Sequence, residues 1–326
     1  MSLARLATVP PTGRFGLGLA AVGRPGYINL DRDADLPADR SVPAMRERAH
    51  QLLDAAYAQG IRYVDVARSY GRAEEFLADW LADRPHAHDV VIGSKWGYTY
   101  TADWRTDAEV HEVKDHTTAT YDRQLPETRA LLGDRLDLYQ VHSVTPDSPA
   151  LTDRALHERL AALAADGVTV GVSTSGPAQA EAIRAALAVT VDGRRLFGSV
   201  QATYNLLEPS AGAALAEAHD AGVTVIVKEA MANGRLAGRD TDDPGTRLLR
   251  RIAAEAGATC DTVALAAVAA RPWADVVLSG AATVPQLRSN LAAAQVRLRP
   301  AWLQQLAALA EPAEVYWRHR SGLPWR

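Results

Sequence analysis

Short apolar runs alternate with longer amphipathic stretches along the whole chain. Eight of the apolar runs have the length of buried strands, and the stretches between them have helical spacing. The predicted strands are residues 15–21, 61–67, 90–96, 136–143, 168–174, 198–205, 224–230 and 276–280. The predicted helices are residues 43–59, 71–83, 118–132, 152–165, 177–188, 209–221, 246–257 and 283–294. Continuous apolar strands separated by helices are typical of a parallel sheet that is covered on both faces.

Eight such units predict an α/β fold, the closed (β/α)8 TIM barrel, because eight parallel strands close naturally into a barrel. A doubly wound open sheet is the competing architecture, and the count of eight units favours the barrel. No linker rich in proline, glycine or serine divides the chain, so we expect a single domain over residues 1–326.

Three segments are too long for tight connections between strands and helices. They are the loops 97–117 and 231–245 and the C-terminal tail 311–326. Barrel enzymes build their sites at the C-terminal ends of the strands. We therefore expect these segments to lie over the active-site face.

The composition excludes several function classes. Hydrophobic residues make up 48% of the chain and charged residues 23%, which is typical of a globular protein. The net charge of −4 provides no basic field for nucleic acid, and no apolar stretch has the length of a membrane span, so we expect neither partner. The single cysteine, Cys260, excludes an internal disulfide and a cysteine-based zinc site. Together these features predict a cytoplasmic protein.

Residues able to do acid–base chemistry stand at the ends of three consecutive predicted strands. Asp65 ends the second strand and is followed by Tyr70, Lys95 ends the third, and His142 ends the fourth. Each has an ordinary structural explanation when taken alone: a helix cap, a packed ring, a solvated ammonium and a buried, hydrogen-bonded imidazole. Consecutive strand ends converge on one rim of a barrel, so four such residues together favour a shared site.

Lysine is rare in this chain, which contains only Lys95, Lys114 and Lys228 among 35 basic residues. All three fall on the same rim of the predicted barrel. Because arginine occupies the other basic positions, either a compact ammonium is required at these positions or lysine stands there by chance on a solvated surface.

The chain resembles the aldo-keto reductase superfamily over nearly its whole length. Residues 60–71, GIRYVDVARSYG, are similar to the Asp-Thr-Ala-x-x-Tyr signature of that family, with Val66 in place of threonine. Ser94-Lys95 and the strand LDLYQVH at 136–142 resemble the segments that carry its lysine and histidine. The resemblance implies hydride transfer between a nicotinamide cofactor and a small-molecule carbonyl or alcohol.

The resemblance also implies a role for each of the four residues. Tyr70 is the expected general acid, although a free tyrosine has a pKa of about 10. Lys95 is expected to lower that pKa, and Asp65 to supply the counter-charge that keeps Lys95 protonated. His142 is expected to orient the substrate oxygen through a hydrogen bond.

The resemblance further assigns a set of residues to the cofactor, with NADP(H) favoured and NAD(H) possible. These are Gly18, Asp65, Ser173, Thr174, Gln201, Lys228, Gly280, Ala281, Thr283, Gln286, Arg288 and Asn290. Lys228 stands where the family often has an aromatic residue, and Arg288 is the one basic residue near the expected 2′-phosphate position. Residues 16–21, GLGLAA, also fit a dinucleotide-binding spacing, but glycines and a proline follow directly and leave no room for the required helix.

Aromatic residues of the first long loop, Trp96, Tyr98 and Trp104, are the expected substrate contacts. A metal-dependent hydrolase is disfavoured, since His142 is the only histidine at a strand end, and we expect no metal. A nicotinamide-binding regulatory or redox-sensing subunit with little turnover is the alternative function. No interface patch is evident, so the sequence predicts no oligomeric state.

Overall fold

The computed structural model describes residues 14–28, 35–238 and 243–325. At its centre is a closed barrel of eight parallel strands in which neighbours in sequence are neighbours in space and the last strand pairs with the first. The strands are β1 (Phe15–Gly18), β2 (Tyr63–Asp65), β3 (Val91–Trp96), β4 (Leu138–Val144), β5 (Thr169–Thr174), β6 (Ser199–Thr203), β7 (Thr224–Lys228) and β8 (Val276–Ser279). The eight predicted strands and the (β/α)8 fold are therefore confirmed.

Helices surround the barrel. They are α1 (Val42–Ala58), α2 (Ala73–Ala82), α3 (Thr118–Leu132), α4 (Arg154–Ala165), α5 (Gln179–Ala188), α6 (Gly212–Asp220), α7 (Pro244–Glu255), α8 (Cys260–Ala269), α9 (Val284–Ala292), α10 (Pro300–Leu306) and α11 (Ala313–Ser321). The eight predicted helices correspond to α1–α7 and α9. The pattern missed α8, α10 and α11. Almost every residue of α8 is buried, so this helix has no polar face.

Local side-chain caps fix where several of these helices begin. The Thr117 hydroxyl accepts a hydrogen bond from the Thr120 N–H at the start of α3, and Asp153 accepts two N–H bonds at the start of α4. Thr283 caps α9 in the same way. Such caps satisfy N–H groups that have no partner within the helix.

The expected long segments are partly structured. The loop 97–117 contains a hairpin of two short strands, Tyr98–Tyr100 and Glu112–Lys114. The C-terminal tail contains α11, after which Trp325 forms a β-bridge with Ile28 and stacks on His111 at 4.4 Å. Part of the loop 231–245, residues 239–242, lies outside the described residues.

No single helix in the described ranges is long and apolar enough to cross a bilayer. The bent pair α7 and α8, which meet at 85°, satisfies that test only when the two are taken together.

The barrel interior is filled around the ring of Tyr63, which is fully buried with Val91, Leu138, Ile226, Val276 and Leu278. Two glycines make room for this ring. A Cβ on Gly93 would lie 2.2 Å from the Tyr63 hydroxyl, and one on Gly16 would lie 2.8 Å from the ring. The ring in turn supports the site above it, since its hydroxyl lies 3.4 Å from Asp65 Oδ1.

We expect Gly93→Ala to lower the free energy of unfolding by about 1–3 kcal/mol, the usual effect of overpacking a core. Denaturant titration would measure the loss. Gly280→Ala is the matched control, because a Cβ there has no protein atom within 4 Å. Adding Tyr63→Phe should restore part of the stability, since the closest clash is with the hydroxyl. Equal stability of Gly93→Ala and the wild type would contradict this account of the core.

Candidate active site

An ion pair between Lys95 and Asp65 lies at the C-terminal end of the barrel interior. Both side chains are buried, with 0% and 2% of their surfaces exposed, and the Lys95 ammonium contacts Asp65 Oδ2 directly. The same ammonium donates to the carbonyl of Val66 at 3.1 Å and lies 3.3 Å from the Tyr70 hydroxyl. Two strand ends and one loop thus form a continuous chain from carboxylate to ammonium to phenol.

The second oxygen of Asp65, Oδ1, also accepts hydrogen bonds. Gln201 Nε2, from β6 on the far side of the barrel, donates to Asp65 Oδ1 at 2.8 Å. The Tyr63 hydroxyl donates to the same oxygen at 3.4 Å. A buried carboxylate is stable only with such partners, so the barrel holds Asp65 in one orientation.

Tyr70 remains a neutral phenol in this environment. Burial raises the pKa of Tyr70 well above 10, the Asp65 carboxylate raises it further, and Arg24 partly opposes the shift. The net shift of the Tyr70 pKa is therefore upward, opposite to the expected lowering. The physical reason is that Asp65 already balances the charge of Lys95, so desolvation dominates.

His142 faces Tyr70 across the mouth of the barrel. The two ring centroids are 5.5 Å apart, and His142 Nδ1 lies 3.4 Å from the Ser69 hydroxyl. Burial, followed by the charges of Lys95 and Lys228, holds the pKa of His142 well below its ordinary value of 6.5. The imidazole is therefore neutral at physiological pH.

His116, which the sequence pattern left in a loop, holds the backbone of His142. Its Nε2 donates to the His142 carbonyl at 2.7 Å, so its Nδ1 accepts from the Ser148 hydroxyl at 2.6 Å. Burial lowers the pKa of His116 to about 4, which keeps this arrangement neutral. No spacing signal marks the contact, because it joins a loop to a strand end 26 residues away.

A groove with about 1140 Å³ of space open to solvent runs from this centre across β8 to α9. Eight residues predicted for the cofactor line it: Gly18, Asp65, Gln201, Lys228, Gly280, Ala281, Gln286 and Asn290. Tyr70 lines the same groove at its inner end. The Asn290 side chain donates to Ser279 Oγ at 2.8 Å, which fixes it at the groove wall.

The other four predicted cofactor residues do not line the groove. Ser173 is buried and accepts a hydrogen bond from the Ser143 N–H at 2.8 Å. The buried hydroxyl of Thr174 has no partner in the part of the chain that the structure describes. Thr283 caps α9 and accepts from the Gln286 N–H. Arg288 is exposed on α9 and is not among the residues that line the groove.

A second cavity of about 770 Å³ meets the groove at Tyr70 and Lys228. Its wall includes His142, Tyr98 and Trp325, together with two ion pairs that sequence reasoning missed. These pairs are Arg24 with Glu112 at 2.8 Å, and Arg320 with Glu229. The two residues of the first pair are 88 residues apart in sequence and those of the second are 91 apart, so no local pattern could have found them.

Two of the three expected substrate contacts lie elsewhere. Trp96 is fully buried outside the barrel wall, where its ring packs 5.1 Å from Tyr121 of α3. Because Lys95 points into the barrel, the next residue on the strand must point out. Trp104 packs on Phe76 of α2, and its N–H donates to the Arg40 carbonyl at 2.8 Å.

Comparisons with known proteins agree with this architecture. A model of the aldo/keto reductase family matches residues 37–311. The chain is 26% identical over 337 residues to the aldo-keto reductase str7 of Strobilurus tenacellus, covering 94% of this chain and 90% of that one. It is 24% identical over 326 residues to the uncharacterized oxidoreductase YrpG of Bacillus subtilis (strain 168), with coverage of 90% and 93%.

Among solved structures, the aldo-keto reductase AKR11C1 from Bacillus halodurans, in its holo form, has the same fold with a TM-score of 0.68. Its sequence identity is 22%, and the match covers 92% of this chain and 93% of that one. Since the family model spans most of the chain and the barrel is closed, the protein belongs to the aldo/keto reductase family of oxidoreductases.

Proposed function

We propose that the protein interconverts a small carbonyl compound and the corresponding alcohol, with Tyr70 as general acid in reduction and general base in oxidation. One observation supports this most strongly. The Tyr70 phenol lies 3.3 Å from the Lys95 ammonium, at the point where the groove and the second cavity meet. A reacting carbonyl in the second cavity and a cofactor in the groove would therefore share Tyr70 as a neighbour.

The groove suits a nicotinamide cofactor. Gln201 Oε1 is buried beside Asp65 and has no hydrogen-bond partner among the described residues, so it can accept from the N–H groups of a carboxamide. Gly280 leaves the backbone ahead of α9 open, and a helix N-terminus favours phosphate. We therefore assign Gly18, Gln201, Gly280, Ala281 and Asn290 to cofactor binding. When bound, the reduced nicotinamide supplies the hydride.

In reduction, the carbonyl oxygen gains negative charge and needs a proton. Tyr70, kept neutral by burial, carries that proton and donates it, and proton donation of this kind contributes about 10²–10⁴-fold in rate. The Lys95 ammonium then stabilises the phenolate, while Asp65 prevents Lys95 from losing its own proton. Proton donation by this route therefore requires the side chains of Tyr70, Lys95 and Asp65.

His142 orients the carbonyl oxygen. If Nδ1 accepts the hydrogen bond from Ser69, the proton of the neutral imidazole is on Nε2 and is available to the substrate. A neutral donor holds the oxygen without competing for the proton of Tyr70. The intact contacts among these residues favour turnover over the regulatory alternative.

We propose NAD(H) as the preferred cofactor, although the family resemblance alone favours NADP(H). At the end of the groove near α9, the described lining residues include the carboxylates of Asp35 and Asp261. The one basic residue among the described lining of this groove is Lys228, which lies at the opposite end beside Tyr70. At this end the Arg48 guanidinium already donates to the carbonyls of Asp35 and Ala282. Among the described lining residues, a 2′-phosphate would therefore face the two carboxylates without a cation of its own.

Tyr70→Phe should reduce kcat for carbonyl reduction by at least about 10²-fold, because it removes the proton donor and keeps the ring. Steady-state kinetics with an aldehyde panel would measure kcat, and a fluorescence titration would show nearly unchanged cofactor affinity. Tyr100→Phe is the matched control, since this tyrosine lies in the hairpin outside both cavities. A near-normal kcat in Tyr70→Phe, with chemistry rate-limiting, would exclude Tyr70 as the acid.

Lys95→Met should lower the free energy of unfolding by about 3–5 kcal/mol at pH 7, because Asp65 is left buried without its cation. Urea titration at pH 7 would measure the deficit. Lys114→Met, at an exposed position, should change stability by about 0.5 kcal/mol or less. A deficit in Lys95→Met as small as that of Lys114→Met would show that Asp65 does not depend on Lys95.

NADH should bind at least about tenfold more tightly than NADPH, a difference of about 1.4 kcal/mol. Gln286→Arg should narrow this gap by placing a guanidinium beside the loop before α9. Fluorescence titration of both cofactors would test the prediction. Arg288→Ala, exposed on the same helix, is the control and should leave the ratio of the two dissociation constants unchanged. Tighter binding of NADPH by the unmodified protein would overturn the assignment.

A further inference from the structure

Lys228, at the end of β7, lies where the groove and the second cavity meet, and it lines both. Its side chain is 14% exposed, and its ammonium donates to the Thr203 hydroxyl at 2.8 Å. An ammonium has three N–H donors. Because the hydroxyl takes one of them, Lys228 has capacity left for a bound molecule.

The adjacent carboxylate, Glu229, does not accept a hydrogen bond from the remaining N–H donors of Lys228. Glu229 is held by Arg320, whose Nε donates to Oε1 at 2.9 Å and to Oε2 at 2.8 Å, and Thr203 donates to Oε2 at 3.2 Å. Lys228 Nζ lies 3.7 Å from Oε1, beyond hydrogen-bond distance. Although burial opposes its ionisation, Arg320 and Lys228 lower the pKa of Glu229 to about 2, so this carboxylate stays charged.

The charges around the second cavity do not balance. Its described lining contains three cations, Arg24, Lys228 and Arg320, and two carboxylates, Glu112 and Glu229. The two arginines are each paired with one of the carboxylates. The lining therefore has one net positive charge, which belongs to Lys228. Glu229, 3.7 Å from Lys228, is shared with Arg320 and neutralises Lys228 only in part, so an anionic ligand would stabilise this buried ammonium.

We propose that Lys228 binds the carboxylate of an oxo-acid substrate whose reacting carbonyl lies against Tyr70 and His142. The inference rests on the proposed function and adds the substrate class. The carbonyl carbon gains the hydride of the reduced nicotinamide, which becomes oxidised, and the carbonyl oxygen gains the Tyr70 proton. The product is a hydroxy acid, and its carboxylate is unchanged and still held by Lys228.

The test compares ω-oxo acids of two to six carbons with their methyl esters, which keep the carbonyl and remove the charge. The unmodified protein should show a kcat/KM for at least one acid that is about tenfold or more above that of its ester. Lys228→Met should lower this acid-to-ester ratio by at least about tenfold, as expected for loss of one charge-assisted contact. Lys114→Met is the matched control, because Lys114 is exposed and lines neither cavity; this variant should leave the ratio unchanged.

The ratio should also fall as the pH rises from 7 to 9. Burial lowers the pKa of Lys228 to about 8, partly offset by Glu229, so its ammonium is lost over this range. The groups that face Lys228 are Glu229 and Arg320, which stay charged, Lys95 with Asp65, and the neutral His142. Since Lys95 is intact in Lys228→Met, a ratio that no longer changes with pH in this variant would assign the effect to Lys228.

A binding measurement separates this inference from the proposed function. Calorimetric titration with succinate, an unreactive analogue of 4-oxobutanoate, should show binding to the unmodified protein and at least tenfold weaker binding to Lys228→Met. Such binding without reduction of any carbonyl would refute the proposed function and leave the carboxylate site standing. Reduction of acids and esters at equal efficiency, or succinate binding that is unaffected by Lys228→Met, would overturn the carboxylate site.

Discussion

The buried ion pair between Lys95 and Asp65 is the interaction on which the rest of the site depends. Moving two charges out of water costs several kcal/mol each, and attraction offsets this only when both are fully hydrogen-bonded. Here the remaining partners come from Val66 beyond β2, Tyr63 within it and Gln201 on β6. A closed barrel brings these strands around one point, whereas an open sheet would separate them. The fold is thus a condition for the ion pair.

The same burial sets the protonation states around the pair. Desolvation favours the neutral form of any group that lacks its own counter-ion. Tyr70 and His142 have none, so the phenol keeps its proton and the imidazole does not acquire a second one. Lys95 has Asp65, which opposes the lowering of its pKa by burial. One charged pair and two neutral groups result, which is the set that proton donation to a developing alkoxide requires.

The strands and most helices could be predicted because their signal is local. Apolar runs and helical spacing are properties of adjacent residues, and eight units suffice to identify the barrel. The pattern missed α8 because it is buried on all sides and shows no periodicity. Trp96 lies outside the expected substrate pocket because side chains alternate along β3, which directs it away from Lys95.

The four residues of the candidate site could be located because each stands next to a strand end. The wall of the second cavity could not, since Arg24 with Glu112 and Arg320 with Glu229 join segments distant in sequence. The direction of the Tyr70 pKa was also beyond sequence reasoning. It depends on the balance between burial and neighbouring charges, which is a property of the folded structure.

The residues that resemble the family and those that depart from it lie on different parts of the rim. Asp65, Lys95 and His142 lie on β2, β3 and β4, and Tyr70 follows β2, whereas Lys228 ends β7, Glu229 follows it and Arg320 lies on α11. Glu229 has a left-handed backbone with φ of 55°, a conformation that costs a non-glycine residue of order 1–3 kcal/mol. Its bidentate contact with Arg320 of α11 holds the carboxylate in place and offsets part of that cost. Because Arg320 and Ser321 of α11 line the second cavity, the tail sets the charge on this side of it, whereas the barrel strands position Asp65, Lys95 and His142.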